Sequence, residues 1–179
     1  MKGKEIMGLD MYLNVGKGEN AFEFGYWRKA NAIHKYFVDT LQDGVDDQRE
    51  SPVGLETFKD LFEKVSVIRE EYIKLNSNVD SLEELAEDEL EEYYAEELES
   101  HWNRNEYSWN DILPEYKEKF VELCKNTLPT TSGCFFGNTE YDFYYIYNII
   151  YTYELIKQIL DDWESNDKED NDYYYTCWW

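Results

Sequence analysis

Residues 25–38 read Gly25-Tyr-Trp-Arg-Lys-Ala-Asn-Ala-Ile-His-Lys-Tyr-Phe-Val38, and they concentrate basic, imidazole, amide and aromatic groups in an otherwise acidic chain. Apolar residues recur here at spacings of three and four, which predicts a strand end that runs into an amphipathic helix. The buried face of that helix would contain Ala30, Ile33, Phe37, Val38 and Leu41, with His34 among them. We therefore expect this stretch to anchor the core.

The polar face of the same helix predicts an anion-binding site. Arg28, Asn31 and Lys35 would project in one direction near the helix start. Unpaired backbone N–H groups at a helix N-terminus favour anions, and guanidinium and ammonium groups donate to phosphate oxygens. Tyr26 and Trp27 precede the helix and offer flat rings on which a nucleobase could stack. The alternative interpretation is a surface helix whose exposed face happens to be basic, with an ordinary buried histidine.

The flanking sequence predicts the rest of the fold. Residues 8–15 and 21–27 alternate apolar and polar side chains around a turn, which indicates a β-hairpin. After a polar loop at 42–52, apolar periodicity predicts a helix over 55–75, and Pro114 suits the first turn of another. The final residues, 173–179, favour a strand beside the hairpin. Together these patterns predict an α+β fold in which a small antiparallel sheet packs against several helices.

Residues 128–142 are the second informative stretch. Gly133 and Gly137 bracket an apolar Cys-Phe-Phe segment that suggests a short strand. Asn138 or Thr139 can then cap a long helix. A glycine at a strand-to-helix junction lets the backbone approach a ligand closely. This second helix N-terminus would join the first at a common pocket.

The net charge and the length of the chain limit the kinds of partner that it can bind. A chain of 179 residues suits one domain spanning residues 1–179, and its net charge of −23 argues against duplex nucleic acid or an anionic membrane as partner. Within residues 1–35, however, six bases exceed four acids by two, which permits a small anion in a local pocket. Neither a signal peptide nor a membrane-spanning run is apparent, so a cytoplasmic protein is expected.

Two further features concern metals and the acidic surface. The cysteines Cys124, Cys134 and Cys177 are widely separated and lack a CxxC pattern, so neither a disulfide framework nor a zinc site is expected. Residues 76–110 read as an acidic helical insertion, since the part from 80 to 99 carries eleven acids and no base. The insertion would be a solvated helix or, alternatively, a DNA-mimicking or protein-inhibiting surface.

Three motifs together resemble a family of small phage-encoded proteins. They are Met7-Gly-Leu-Asp-Met-Tyr-Leu13, residues 25–38 followed by Gln42-Asp-Gly44, and residues 128–142 with Ser132-Gly-Cys-Phe-Phe-Gly-Asn-Thr-Glu-Tyr-Asp142. The chain is similar in these motifs to viral anti-CBASS sponge proteins. That resemblance implies a homo-oligomer in the cytoplasm of an infected bacterial host, which binds cyclic dinucleotides such as 3′,3′-cGAMP without cleaving them. It implies neither a cofactor nor enzymatic activity.

Within this interpretation, chemistry suggests which residues contact the ligand. Cations for the phosphates are Arg28, Lys29 and Lys35, and rings for the bases are Tyr12, Tyr26, Trp27 and Tyr141. Groups that read base edges are Asn31, Asn138, Thr139 and Asp142, and His34 and Gly137 complete the candidate set.

A phosphodiesterase is the competing interpretation. His34 near Asp10 or Asp142 could form an acid–base pair for phosphodiester hydrolysis.

Overall fold

The computed structural model of the protein describes residues 8–17, 21–76, 114–165 and 173–179. Within these ranges the chain forms four helices and one four-stranded antiparallel sheet, which confirms the predicted α+β fold. In chain order the elements are β1 (Asp10–Val15), β2 (Phe22–Arg28), α1 (Asn31–Leu41), β3 (Ser51–Val53), α2 (Leu55–Asn76), α3 (Pro114–Thr127), α4 (Phe143–Ser165) and β4 (Tyr173–Trp178).

The strands lie in the order β2–β1–β4–β3, and every neighbouring pair is antiparallel. The β1–β2 hairpin and the strand β4 beside it confirm two predictions. The sequence pattern does not predict β3, because it is only three residues long and lies within a polar loop. Pro52 is tolerated there because β3 is an edge strand, and the backbone N–H groups on its outer edge need no partner strand.

Three helices pack against one face of the sheet. Phe37 of α1 stacks on Tyr175 of β4 with ring centroids 4.4 Å apart. Phe58 of α2 meets Tyr173 edge to face, with centroids 5.2 Å apart. The indole N–H of Trp27 in β2 donates to the Thr152 hydroxyl of α4 at 2.9 Å. The predicted helices at 55–75 and from Pro114 are present as α2 and α3.

The segment between Gly133 and Gly137 is a turn, so the predicted short strand is wrong. Phe135 has a φ of 64° and Gly137 a φ of 87°, and left-handed residues interrupt an extended chain. The N–H of Phe136 donates to the carbonyl of Gly133 at 3.3 Å. This turn buries the ring of Phe136 and leaves that of Phe135 44% exposed.

Two predictions concern parts of the chain that the structure covers little. Apart from Asn76 at the end of α2, the acidic insertion at 76–110 lies outside the described residues. The single domain over residues 1–179 stays a prediction.

Among the described helices, none combines the length and apolar character needed to cross a membrane.

Candidate functional site

The main cavity has a volume of about 790 Å³ and lies between the end of β2, the start of α1, the 130–142 loop and the first turns of α4. Ligand pockets typically measure about 300–1,000 Å³. Eight of the predicted ligand-binding residues line it: Tyr26, Trp27, Arg28, Lys29, Asn31, Gly137, Asn138 and Asp142. Both helix starts therefore border one pocket, as the sequence predicts.

Five predicted residues lie outside the lining of the main cavity: Tyr12, His34, Lys35, Thr139 and Tyr141. His34 and Lys35 line a second cavity of about 470 Å³ instead. The predicted stripe of Arg28, Asn31 and Lys35 is wrong, because α1 begins at Asn31 and Arg28 still belongs to β2. Lys35 forms an ion pair with Asp39 one helical turn away.

An ion pair orients Arg28 at the edge of the main cavity. Its Nη1 lies 3.1 Å from Oδ1 of Asp10, the residue opposite it on β1. The hydroxyl of Tyr26 donates to the same carboxylate oxygen. The hydrogen bond with Tyr26 and the negative charge of Asp10 raise the pKa of Arg28, which stays cationic. Tyr12 packs against Tyr26, with the two ring centroids 5.3 Å apart.

Lys29 has an unusual backbone conformation, with a φ of 57°. Its N–H donates to the carbonyl of Leu9 at 2.8 Å, which fixes the bend between β2 and α1. A methyl group added to Gly137 would lie 3.3 Å from Cβ of Lys29, so the glycine permits a close approach of the loop to the lysine stem. In the described part of the chain, the ammonium of Lys29 has no ion-pair partner.

The N-terminus of α1 opens into the main cavity. Ala30, at the N-cap position, makes no side-chain capping bond, and the first turn contains no acidic residue. Ala30, Ala32 and Ile33 all line the cavity. The first N–H groups of a helix lack intrahelical acceptors and carry the positive end of the helix dipole. This helix start therefore favours an anion.

Asn31 and Trp27 hold the cavity wall together, and their roles as ligand contacts stay predictions. Both amide protons of Asn31 are used, one by the carbonyl of Phe136 at 3.2 Å and one by that of Asn138 at 2.7 Å. Its Oδ1 accepts from the N–H of Thr131 at 3.3 Å. Trp27 is 2% exposed and is bonded to α4. These two side chains fix the loop and α4 to the start of α1.

Asp142 caps α4, so the predicted caps Asn138 and Thr139 are wrong. Its Oδ1 accepts from the N–H groups of Tyr144 and Tyr145 at 3.0 and 3.1 Å. Asn138 donates to the other carboxylate oxygen of Asp142 at 3.1 Å. An aspartate directly before a helix is a favoured cap, because it satisfies two N–H groups and complements the dipole.

Tyr141 and Thr139 stabilise the loop. The hydroxyl of Tyr141 accepts from the N–H of Thr130 at 3.2 Å. The hydroxyl of Thr130 donates to the carbonyl of Thr139 at 3.0 Å. Neither Tyr141 nor Thr139 lines the main cavity.

Four tyrosines of α4 line the main cavity and were absent from the predicted set. Tyr145 is buried, and the other three are Tyr144, Tyr147 and Tyr151. Tyr144 is 62% exposed and Tyr147 is 39% exposed, so their rings are accessible. Their spacing of three and four residues puts them on one helix face, and this periodicity is the sequence signal that could have identified them.

His34 is paired with Asp46, and the predicted pairing with Asp10 or Asp142 is wrong. Its Nε2 lies 2.9 Å from Oδ2 of Asp46 in the loop after α1. Burial lowers the pKa of His34, and the carboxylate of Asp46 opposes that shift only in part. The imidazole borders the second cavity and not the main cavity that Arg28 and Lys29 line.

The comparisons with known proteins leave the geometry as the guide to function. No protein-family model, no curated protein and no solved structure matches the chain.

Proposed function

We propose that the chain binds a cyclic dinucleotide in the main cavity and sequesters it without cleaving it. One observation carries the proposal: two cationic side chains, an uncapped helix start and accessible tyrosine rings converge on a single pocket of about 790 Å³. A cyclic dinucleotide offers two phosphates and two bases, which need this combination of groups.

Two positive groups lie together at the cavity edge in a chain of net charge −23. Lys29 and Arg28 are consecutive residues at the β2–α1 junction, beside the N-terminus of α1. Charge-assisted hydrogen bonds from lysine, arginine and helix N–H groups are the usual contacts of a bound phosphate. Acidic residues elsewhere would repel polyanions such as duplex DNA, so the arrangement favours a small anion.

The bases would stack on the tyrosines of α4. Tyr144 is 62% exposed and Tyr147 is 39% exposed, and both line the main cavity. Stacking of one base on an aromatic side chain contributes about 1–3 kcal/mol. These rings could hold two bases at once.

The chemistry of the lining favours sequestration over hydrolysis. Among the described residues, the lining of the main cavity contains neither histidine nor cysteine. Its two carboxylates belong to Glu140 and Asp142, and Asp142 is engaged in capping α4. General acid–base catalysis needs a titratable group within hydrogen-bond reach of the reacting atoms.

Calorimetric titration with a panel of cyclic di- and trinucleotides tests the proposal, followed by chromatography of the recovered ligand. We expect saturable binding of at least one cyclic dinucleotide, such as 3′,3′-cGAMP, and its recovery intact after long incubation. Absence of binding to every member would contradict the proposal. Cleaved ligand would instead identify a phosphodiesterase.

Variants connect that binding to the main cavity. We expect Lys29→Ala and Arg28→Ala each to weaken affinity at least tenfold, which corresponds to about 1.4 kcal/mol, without unfolding the protein. Lys59→Ala is the matched control, because Lys59 is an exposed lysine on α2 that pairs with Glu56. Equal affinity in the folded Lys29→Ala protein and in this control would exclude the β2–α1 junction as the binding site.

A further inference from the structure

Three chemically different side chains converge beside the second cavity, which His34 and Asp46 line and next to which Cys177 is buried. His34 comes from α1, Asp46 from the loop that follows it, and Cys177 from β4. The donor atoms that they offer all lie within 4.8 Å of one another. His34 is 2% exposed and Cys177 is 0% exposed, so two of the three donors are buried.

The distances fit a small tetrahedral metal ion. Nε2 of His34 lies 2.9 Å from Oδ2 of Asp46, and Sγ of Cys177 lies 3.9 Å from Oδ1 of the same carboxylate. Zinc bonds of about 2.0–2.3 Å at tetrahedral angles put ligand atoms roughly 3.4–3.6 Å apart. The widest donor pair is separated by up to 4.8 Å, so side-chain movements of about an ångström would bring the three donors to coordinating positions.

The surroundings hold the imidazole in the orientation that a metal ligand needs. Nδ1 of His34 lies 2.7 Å from the hydroxyl of Tyr175, a residue that is 0% exposed. The ring of Phe136 packs edge to face against the imidazole, with centroids 4.9 Å apart. A metal-ligating histidine commonly uses its other ring nitrogen in such a hydrogen bond, which directs the free nitrogen at the metal.

We propose that His34, Asp46 and Cys177 form a binding site for a divalent metal ion of the Zn²⁺ class. Imidazole and thiolate donors suit zinc, whereas Mg²⁺ and Ca²⁺ prefer sites made only of oxygen. On binding, a metal–sulfur bond forms as the thiol proton passes to solvent, and no group is oxidised or reduced. Because His34 and Asp46 line the second cavity, water from that cavity can supply a fourth ligand. The site is independent of the main cavity and of the ligand proposed there.

Cysteine spacing gives no indication of this site. Its ligands are at positions 34, 46 and 177. The strand β4 lies beside β3, which follows the loop that carries Asp46, and α1 packs on β4 through Phe37 and Tyr175. A bound ion would link α1, its following loop and β4. Because the site forms only in the folded chain, metal affinity would add to folding stability.

Titration of the chelator-treated full chain with Co²⁺, followed by Zn²⁺, tests the site. We expect one equivalent of Co²⁺ to produce a thiolate-to-cobalt charge-transfer band and the intense visible bands of tetrahedral cobalt, and Zn²⁺ to displace it. Cys177→Ser and Asp46→Asn should remove the charge-transfer band or weaken Co²⁺ binding at least tenfold. Cys134→Ser is the matched control, because Cys134 is exposed and lines the same cavity.

Several results would overturn the proposal. They are absence of the band in the wild-type chain, a band that persists at full strength in Cys177→Ser, or a band that Cys134→Ser abolishes. Circular dichroism checks that each variant is folded. If Cys177→Ser does not fold, the near-isosteric Asp46→Asn decides the outcome by its cobalt affinity. Tyr175→Phe should lower metal affinity by about 10–100-fold, as expected for the loss of a supporting hydrogen bond.

Discussion

Lys29 combines a disfavoured backbone conformation with the position best suited to a bound anion. A φ of 57° is uncommon for a residue with a Cβ, and such residues cluster at binding and active sites. A glycine would adopt the same conformation without strain. The chain therefore holds an ammonium group at the main cavity at a cost in stability.

Replacement of Lys29 by glycine should weaken nucleotide binding without lowering the stability of the protein. We expect Lys29→Gly to keep the free energy of unfolding or raise it by up to about 1 kcal/mol, because the left-handed strain disappears. The same change should weaken nucleotide affinity at least tenfold, since the ammonium is lost. Urea denaturation and calorimetric titration measure the two effects.

Lys29→Ala is the control for that experiment, because alanine keeps the strain and also loses the charge. A fall in both stability and affinity for Lys29→Gly, matching that of Lys29→Ala, would contradict a strained binding residue.

Among the elements, β2 and α4 approach so closely that one glycine decides their packing. A methyl group on Gly25 would lie 2.5 Å from Cδ2 of Leu155, a residue that is 8% exposed. The N–H of Tyr26, the next residue, donates to the hydroxyl of Tyr151 at 3.3 Å. The main cavity is bounded by these same two elements, so their separation sets its width.

Gly25→Ala should therefore destabilise the protein by about 1–3 kcal/mol, because overpacking forces the two elements apart. Leu155→Val shortens the opposing side chain, and in the double variant part of the loss should be recovered. Urea denaturation of the wild type, both single variants and the double variant gives the coupling energy of the pair. Strict additivity of the two single effects would show that the two residues do not meet.

Periodicity in the sequence predicts most elements but not their ends. It identifies the hairpin, α1, α2, α3 and β4, because each buries a regular apolar face. It fails at the turn around Phe135, where a left-handed residue ends the extended run. It also misses the cap of α4, because Asn138, Thr139 and Asp142 are all acceptable capping residues and only the fold selects among them.

The sequence predicts which kinds of residue form the candidate site better than it predicts how they are arranged. Arg28 and Lys29 are marked by their charge in an acidic chain, and both reach the main cavity. Asn31 carries the same ligand-binding chemistry, yet its hydrogen bonds belong to the loop. His34 and Lys35 line the second cavity instead. The helix α1 starts three residues after Arg28, so these two side chains do not share a helix face with Arg28. A polar side chain can already be hydrogen-bonded within the protein, and this depends on contacts between residues that are distant in sequence.

For the whole molecule, net charge and exposed aromatic rings make opposite contributions to self-association. A net charge of −23 produces mutual repulsion between copies. Trp178 is 62% exposed and Tyr26 is 37% exposed, and by strand register both belong to the sheet face opposite the buried one. Exposed aromatic rings are enriched in protein interfaces. The predicted homo-oligomer would then assemble through this sheet face.

Salt should strengthen such an assembly. The Debye length falls from about 30 Å at 0.01 M to about 10 Å at 0.1 M ionic strength, which screens the repulsion. We expect the oligomeric fraction in sedimentation equilibrium to increase over this range, and Trp178→Ser to reduce it at both salt concentrations. Val67→Ser, at an exposed apolar residue of α2, should have little effect. A monomer under all conditions would contradict the prediction.

The position of β4 between β1 and β3 sets the order in which the sheet can be completed. Its residues 173–178 pair with residues 10–15 on one side, and residues 173–175 pair with residues 51–53 on the other. Contacts so distant in sequence make folding slow. During synthesis, the hairpin and β3 leave the ribosome long before β4 exists, so one edge of β1 and one of β3 have no partner in the nascent chain. Such open edges invite pairing with other chains. In the interval before β4 emerges, these two open edges are therefore the part of the nascent sheet most exposed to pairing with other chains.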